Sequence, residues 1–309
     1  MKTKDERSIR AGSQLINALL LAGTVVLTAE SVPAQNLFVA GSGATGNIYE
    51  VAPGGSPTIY ASNQGAPGGL AFDNLGDLFV TDTGGGNIFE FASGGGESTF
   101  ASGLSQLQGP LAFDSGGNLF VANGGDILKF TPGGAQSTFA SGLGGAGGLA
   151  FDAAGNLFVA DGSAGSIYQF TPGGIQSTFA SGLAYPTGLA FDNAGNLFAT
   201  EFLGGSVDEF LPNGTEIPFS SGWLYPQALA FDATGNLYLF QGVEYGTSVI
   251  ALAPDGTPST VASGFVYPTN DGLAFDNVIL PVPEPSTIGV LALGALALVG
   301  VRLQKTRNA

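Results

Sequence analysis

Asp82, Asn123, Asp161 and Glu201 stand about forty residues apart, each closing a short apolar run (LFVTD, LFVAN, LFVAD, LFATE), with Gly41 and Gln241 in the corresponding places. Hard oxygens repeated at such a spacing could hold Ca2+ or another divalent cation, provided a closed array brings them to one rim. Asp and Asn also cap the loops that follow them by accepting hydrogen bonds from nearby amides, and the same pattern fits that role. A second set is aromatic: Tyr185, Tyr225 and Tyr267, each followed by proline, with Trp223 close by. Flat apolar faces beside carboxylates and amides suit a sugar, and regularly spaced tyrosines also suit packing between repeats. The chain has neither His nor Cys. That removes a Ser-His-Asp triad, a thiol nucleophile and any histidine-bound metal, leaving carboxylate acid–base chemistry or an all-oxygen metal site as the open catalytic routes.

These residues are carried by an internal repeat. An AFD triplet places phenylalanine at Phe72, Phe113, Phe151, Phe191, Phe231 and Phe275, at intervals of 41, 38, 40, 40 and 44 residues. Within one unit four short runs rich in Phe, Val, Ile or Thr, such as GLAFD, NLFVAD, SIYQFTP and QSTFASG, end at Gly, Pro, Asp or Asn and read as strands A to D. Asp-x-x-Gly-Asn joins A to B, and Pro-Gly-Gly or a close variant joins C to D, as hairpin turns. Four strands per forty residues is the period of a propeller blade, so the expected fold is an all-β, six-bladed β-propeller. The array is cut out of phase. It begins at strand B (LFVA from Leu37) and ends on strand A (GLAFD from Gly272), so N-terminal strands within residues 37–60 and a C-terminal strand within 272–276 are expected to complete one blade. In this arrangement strand A lines the channel, and the B-to-C and D-to-A loops share one face. Asp73, Asp114, Asp152, Asp192, Asp232 and Asp276 then belong to turns on the other face. Gly41 to Gly46 match GxGxxG, but a strand follows where a phosphate-binding helix would be needed, so this match carries no dinucleotide site.

The phrase AFD…GNLFVAD with its following apolar strand resembles the NHL-repeat propellers and the neighbouring gluconolactonase-like and virginiamycin B lyase-like six-bladed families, over residues 37–277. The resemblance implies the scaffold and leaves both binding modules and enzymes open. Gluconolactonase-like enzymes use a carboxylate-and-amide metal site in the channel. The histidine-dependent chemistry of the lyase-like relatives has no residue here to perform it.

The flanks give the cellular address. Residues 1–34 run from a basic stretch (Lys2 to Arg10) through apolar Ile16 to Ala29 to Val32-Pro33-Ala34, the layout of an export signal with the mature chain starting near Gln35. Residues 281–309 carry Val282, Pro283, Glu284 and Pro285, then the apolar run Ile288 to Val301, then Arg302, Lys305 and Arg307. This tail resembles the PEP-CTERM sorting signal, which implies a short hydrophobic C-terminal helix in the membrane and an exosortase-type processing enzyme as partner. Fourteen residues from Ile288 to Val301 reach only about 21 Å as a helix, short for a stable span. Residues 35–280 form the expected propeller. The repeats hold twenty acidic residues against Lys129 alone, a net charge of −19, which excludes nucleic acid as a partner because phosphate binding needs Lys and Arg. The expected function is a non-catalytic binding or structural module at the cell surface or in the exopolysaccharide matrix, with a polysaccharide or surface protein as partner. The alternatives are a metal-dependent hydrolase or lactonase of the gluconolactonase-like type and a ligand-free spacer.

Overall fold

The computed structural model describes residues 16–21, 24–29, 35–41, 46–242, 247–265 and 272–276. Among these there are twenty-six strands and no helix. Tyr267, the expected C-terminal helix and the sorting residues Val282, Pro283, Glu284 and Pro285 lie outside the described residues. Within the segment read as an export signal, Ile16–Leu21 and Thr24–Ala29 pair as an antiparallel hairpin, Ile16 opposite Ala29.

The remaining strands form six four-stranded antiparallel sheets in the order A-B-C-D. Blade 1 comprises Pro67–Phe72, Leu78–Asp82, Asn87–Phe91 and Glu97–Ala101. Strands A of blades 2 to 5 are Leu107–Phe113, Ala146–Phe151, Pro186–Phe191 and Pro226–Phe231, and their strands B are Leu119–Asn123, Leu157–Asp161, Leu197–Glu201 and Leu237–Gln241. Blade 6 joins the two ends of the array: Leu273–Phe275 pairs with Leu37–Gly41, followed by Asn47–Val51 and Thr58–Ala61. Leu273 faces Val39 and Phe275 faces Leu37, as the interrupted repeat requires. Strand A of each blade touches strand A of the next, from blade 1 through blade 6 and back to blade 1. The ring is closed.

Apolar alternation explains the packing. Each strand B buries both faces, and each blade presses one face on its predecessor and the other on its successor, giving six inter-blade cores. The strand-B aromatic of one blade meets the AFD phenylalanine of the next edge to face. Phe79–Phe113, Phe120–Phe151, Phe158–Phe191, Phe198–Phe231, Tyr238–Phe275 and Phe38–Phe72 have ring centroids 4.7 to 5.2 Å apart. Such pairs each contribute about 0.5–1.5 kcal/mol beyond area burial.

The A-to-B turn is held by its aspartate. Asp192 Oδ1 accepts the amides of Ala194 and Asn196 at 2.8 Å, and Asn196 Nδ2 donates to Asp192 Oδ2 at 2.9 Å, while Gly195 supplies the positive φ of 84° that the turn needs. At the seam the same turn is rebuilt from separate ends of the chain. Asp276 N donates to Asn36 O at 3.1 Å and Asn36 N donates to Asp276 Oδ1 at 2.9 Å, matching Asp192 N to Asn196 O at 3.0 Å and its return bond. Gln35 adds a clasp, with Nε2 donating to Asp276 O at 2.5 Å and Oε1 accepting Ala233 N at 2.7 Å.

One residue breaks the packing rule. Asp208, only 6 % exposed, occupies the strand-C slot where the other blades carry Phe89, Leu128, Tyr168, Ile250 and Tyr49. Its carboxylate accepts a hydrogen bond from Ser206 Oγ at 2.8 Å. Burial raises its pKa above the ordinary 3.8, the serine bond only partly opposing this. A carboxyl whose folded pKa is raised stabilises the fold below its unfolded pKa and loses that contribution as pH rises through the folded value. Asp208→Asn is therefore expected to be more stable than the parent at pH 7, with the gap closing near pH 4. Asp208→Leu should gain about 1–3 kcal/mol at pH 7 by removing a poorly satisfied buried polar group. Thermal unfolding of the three proteins between pH 4 and 8 checks both; a gap that widens on acidification would refute the assignment.

Candidate functional site

The six strands A surround a cavity of ≈ 690 Å³ that opens on the face of the B-to-C and D-to-A loops. Its chemistry follows from the repeat. Leu70, Leu111, Leu149, Leu189, Leu229 and Leu273, one per blade, form an apolar ring deep along strand A. Nearer the loops come Gln108, Thr187 and Gln227, interspersed with glycines, and at the rim Tyr185, Phe202 and Leu203. Among the described residues the lining includes no Asp, Glu, Lys or Arg, in a domain that carries twenty carboxylates against one lysine.

Around this channel the backbones approach closely. A Cβ placed on Gly188 would lie 2.2 Å from Gln227 O, on Gly148 2.0 Å from Thr187 O, and on Gly69 2.1 Å from Gly109 O. Two blades tie these strands together through a strand-B threonine. Thr200 Oγ1 accepts from Gly188 N at 2.7 Å and donates to Gln227 O at 2.9 Å, and Thr81 Oγ1 does the same between Gly69 N and Gly109 O, both at 2.8 Å. Above the leucine ring the walls of the cavity are thus mostly backbone, and the polar side chains that line it there are departures from the repeat.

Tyr185 stands at the rim, and Tyr225 lies next to Phe202 outside the lining. Tyr185 and Tyr225 are 43 % and 49 % exposed. Both have positive φ, 62° and 49°, a region bulky residues seldom occupy. Backbone held in such a region costs on the order of 1–3 kcal/mol and is concentrated at functional sites. The corresponding positions in blades 1 and 3 are the small Ala66 and Gly145. Phe202 completes the row: its ring lies 4.9 Å from Tyr225 and 5.9 Å from Tyr185, while a Cβ on Gly162 would come within 2.8 Å of the other side of Tyr185. Phe202 N donates to Tyr185 O at 3.0 Å, pinning the two loops together. Sequence reading missed Phe202. Its signal was available, because Thr83, Gly124, Gly162 and Gly242 fill the equivalent place after strand B and only blade 4 puts an aromatic there. Trp223 sits apart from this row: it takes the place of Leu183, packs against the core between blades 4 and 5 and does not line the cavity.

The oxygen-bearing residues at the ends of strands B are used locally. Asp82 accepts from Ala66 N, Gly85 N and Asn87 Nδ2; Asp161, 1 % exposed, accepts from Gly144 N at 2.7 Å and Ala164 N at 3.0 Å. Asn123 Oδ1 accepts from Gln106 N, Gln241 Oε1 from Leu224 N, and Glu201 from the Ala184 amide. In five blades, then, this side chain grips the segment entering strand A. Burial raises the Glu201 pKa, with Asp208 and Glu216 adding to it. Among the described residues no three Asp or Glu side chains converge in a way that could hold a metal ion. A gluconolactonase-type carboxylate site does not fit these residues, because their oxygens are engaged with amides and none lines the channel.

The comparisons with known proteins now have a frame. Residues 281–305 match the PEP-CTERM protein-sorting motif. Signals of this kind are recognised by exosortase, and the motif implies export with a membrane-anchored C-terminal tail, consistent with the cell envelope. None of the curated proteins compared with the chain matches it. Solved structures share its fold. A propeller from a nidogen/laminin complex is 22 % identical, with 78 % of this chain and 98 % of that chain covered and a TM-score of 0.67. A Xanthomonas campestris gluconolactonase is 17 % identical, with 75 % and 85 % covered and a TM-score of 0.57. A catalytically inactive virginiamycin B lyase from Staphylococcus aureus, seen with quinupristin, is 15 % identical, with 80 % and 88 % covered and a TM-score of 0.57. Identities this low establish the six-bladed scaffold of the NHL, gluconolactonase and lyase type and nothing about activity.

Proposed function

We propose that this exported propeller is a non-catalytic binding module of the cell surface or its polysaccharide matrix, sorted through its C-terminal tail, and that the channel mouth receives a neutral saccharide. The observation that carries this is the lining that the described residues form, which holds no charged side chain: a cavity with amide and hydroxyl groups on its wall and aromatic rings at its rim, in a domain of net charge −19. Aromatic faces and directional neutral groups together suit a sugar, which presents an apolar face and hydroxyl edges. A charged ligand would find no countercharge in the lining. The described lining likewise offers no carboxylate for acid–base work on a bound substrate, which is why binding is preferred to hydrolysis.

The test is calorimetric titration of the full-length protein in detergent with neutral hexasaccharides of β-1,4-glucose, α-1,4-glucose and β-1,4-N-acetylglucosamine. Wild type is expected to bind at least one. The double variant Tyr185→Ala, Tyr225→Ala is expected to lose about 1.4–2.8 kcal/mol of affinity, ten- to a hundredfold, as removal of rim aromatics does at other interfaces. Absence of binding to all three sugars would leave a ligand-free spacer as the better reading.

A further inference from the structure

Blade 2 departs from the other blades where strand A enters the channel. From Leu104 to Leu111 is seven residues, whereas Gln64 to Leu70, Leu143 to Leu149, Leu183 to Leu189 and Trp223 to Leu229 are each six. The ladder shows where the extra residue goes. In blades 1, 4 and 5 three strand-A steps oppose two on strand B (Pro186 to Leu189 against Glu201 to Ala199, for example), but in blade 2 Leu107 to Leu111 makes four steps against Asn123 to Val121. The wider bulge is accommodated at Gly109, φ 108°, whose carbonyl is held by Thr81 Oγ1. A bulge re-aims the side chain beside it, and such bulges concentrate next to functional sites. The side chain here is Gln108, which lines the cavity.

Gln108 is half-buried, and its Oε1 is buried with no hydrogen-bond partner. A buried amide oxygen left unpaired is unfavourable unless something donates to it. On the other side stands Gln227. Blades 2 and 5 are three steps apart in a six-membered ring, so the two glutamines line the channel from opposite walls. Among the described residues no other amide side chain lines the cavity, and the remaining lining side chains are small or apolar apart from Thr187 and Tyr185.

We propose that Gln108 and Gln227 are specificity-determining residues that clamp one neutral sugar ring from opposite sides, Gln108 accepting a hydroxyl hydrogen on its amide oxygen. This rests on the saccharide-binding reading above and adds to it the groups that select among sugars. The terminal torsion of glutamine is soft, so its amide turns to present oxygen or N–H to a ligand without disturbing the backbone. Each amide supplies donors and an acceptor, matching hydroxyls that both give and receive hydrogen bonds. Aromatic stacking at Tyr185 and Phe202 tolerates any flat-faced sugar, whereas the paired amides discriminate by hydroxyl position.

The experiment uses the full-length protein and the hexasaccharide that wild type binds, together with its monodeoxy analogues. Gln108→Leu, which keeps apolar bulk at the position and removes the amide, is expected to weaken binding of the parent sugar ten- to a hundredfold. It should bind one deoxy analogue as well as wild type binds that analogue, identifying the hydroxyl that Gln108 reads. Gln227→Leu repeats the measurement from the opposite wall and serves if Gln108→Leu does not fold. Wild-type binding that Tyr185→Ala weakens but neither glutamine variant changes would overturn the clamp and leave the binding reading standing. Equal weakening toward the parent and every deoxy analogue would also overturn it, since a merely structural role gives no hydroxyl dependence. If wild type binds none of the sugars, the binding reading fails and takes the clamp with it.

Discussion

Gly188→Ala is expected to lower stability by about 3 kcal/mol, a fall in Tm of about 6–12 °C for a domain of this size. The added methyl would meet Gln227 O at 2.2 Å, Ala228 Cα at 3.0 Å and Leu229 N at 3.0 Å, all backbone atoms of the next blade's inner strand. No flexible side chain can yield. Relief would require strands A of blades 4 and 5 to separate, and that would break the bond from Gly188 N to Thr200 Oγ1 and from Thr200 Oγ1 to Gln227 O. Because the six inner strands form one ring, a displacement at one junction is passed to the others. Gly94→Ala is the control: nothing lies within 4 Å of its added carbon. Thermal unfolding followed by circular dichroism at matched pH decides the matter, and equal Tm for the two variants would mean that the inner ring is looser than its distances state.

A chain ending at Phe265 is expected not to give a cooperative unfolding transition, while one ending at Asn277, which keeps every described strand, is expected to unfold cooperatively. The residues between include Leu273–Phe275, a strand of only three residues. It nevertheless supplies a leucine and an alanine to two inter-blade cores, the ring partner of Tyr238, and the register that covers Leu37, Phe38 and Val39. Leu273 burial alone stabilises by about 1.5–3 kcal/mol. Gly272 N also donates to Gly68 O at 2.8 Å, so the strand joins blade 6 to blade 1 as well as completing its own sheet. Against a net stability of about 5–15 kcal/mol, losing both joints leaves little. A cooperative transition retained by the shorter chain would show that five blades and a three-stranded remnant suffice.

The architecture was open to sequence reading because every element is dictated by short-range chemistry repeated six times. Asp192 and Asn196 fold their turn through bonds within five residues, and Phe198 and Phe231 pair because the period sets adjacent blades in the same phase. The seam was readable as well, since an array that starts on strand B and stops on strand A has one way to satisfy both edges. The candidate site was only half readable. Tyr185 and Tyr225 drew notice by repetition, whereas Phe202 and Gln108, which line the cavity, stand out only by breaking it. Phe202 replaces a small residue, and Gln108 is displaced by one inserted position; a rule drawn from the consensus averages such residues away. Trp223 misled for the opposite reason. Beside Tyr225 in sequence it looked like part of the rim, whereas its register with Leu183 sends the indole inward. The oxygens of Asp82 and Asp161 could not be assigned from type alone, because whether they face an ion or an amide depends on the path of the preceding loop.

The split turn joining Asp276 to Asn36 has a kinetic consequence. Asn36 and Asp276 stand 240 residues apart in the chain, so until they meet the other five blades form an open arc with two unsatisfied ends. An arc cannot lock. Closure is a long-range event, so the docking of residues 272–276 on Leu37–Gly41 is expected to be the slow step in forming the ring.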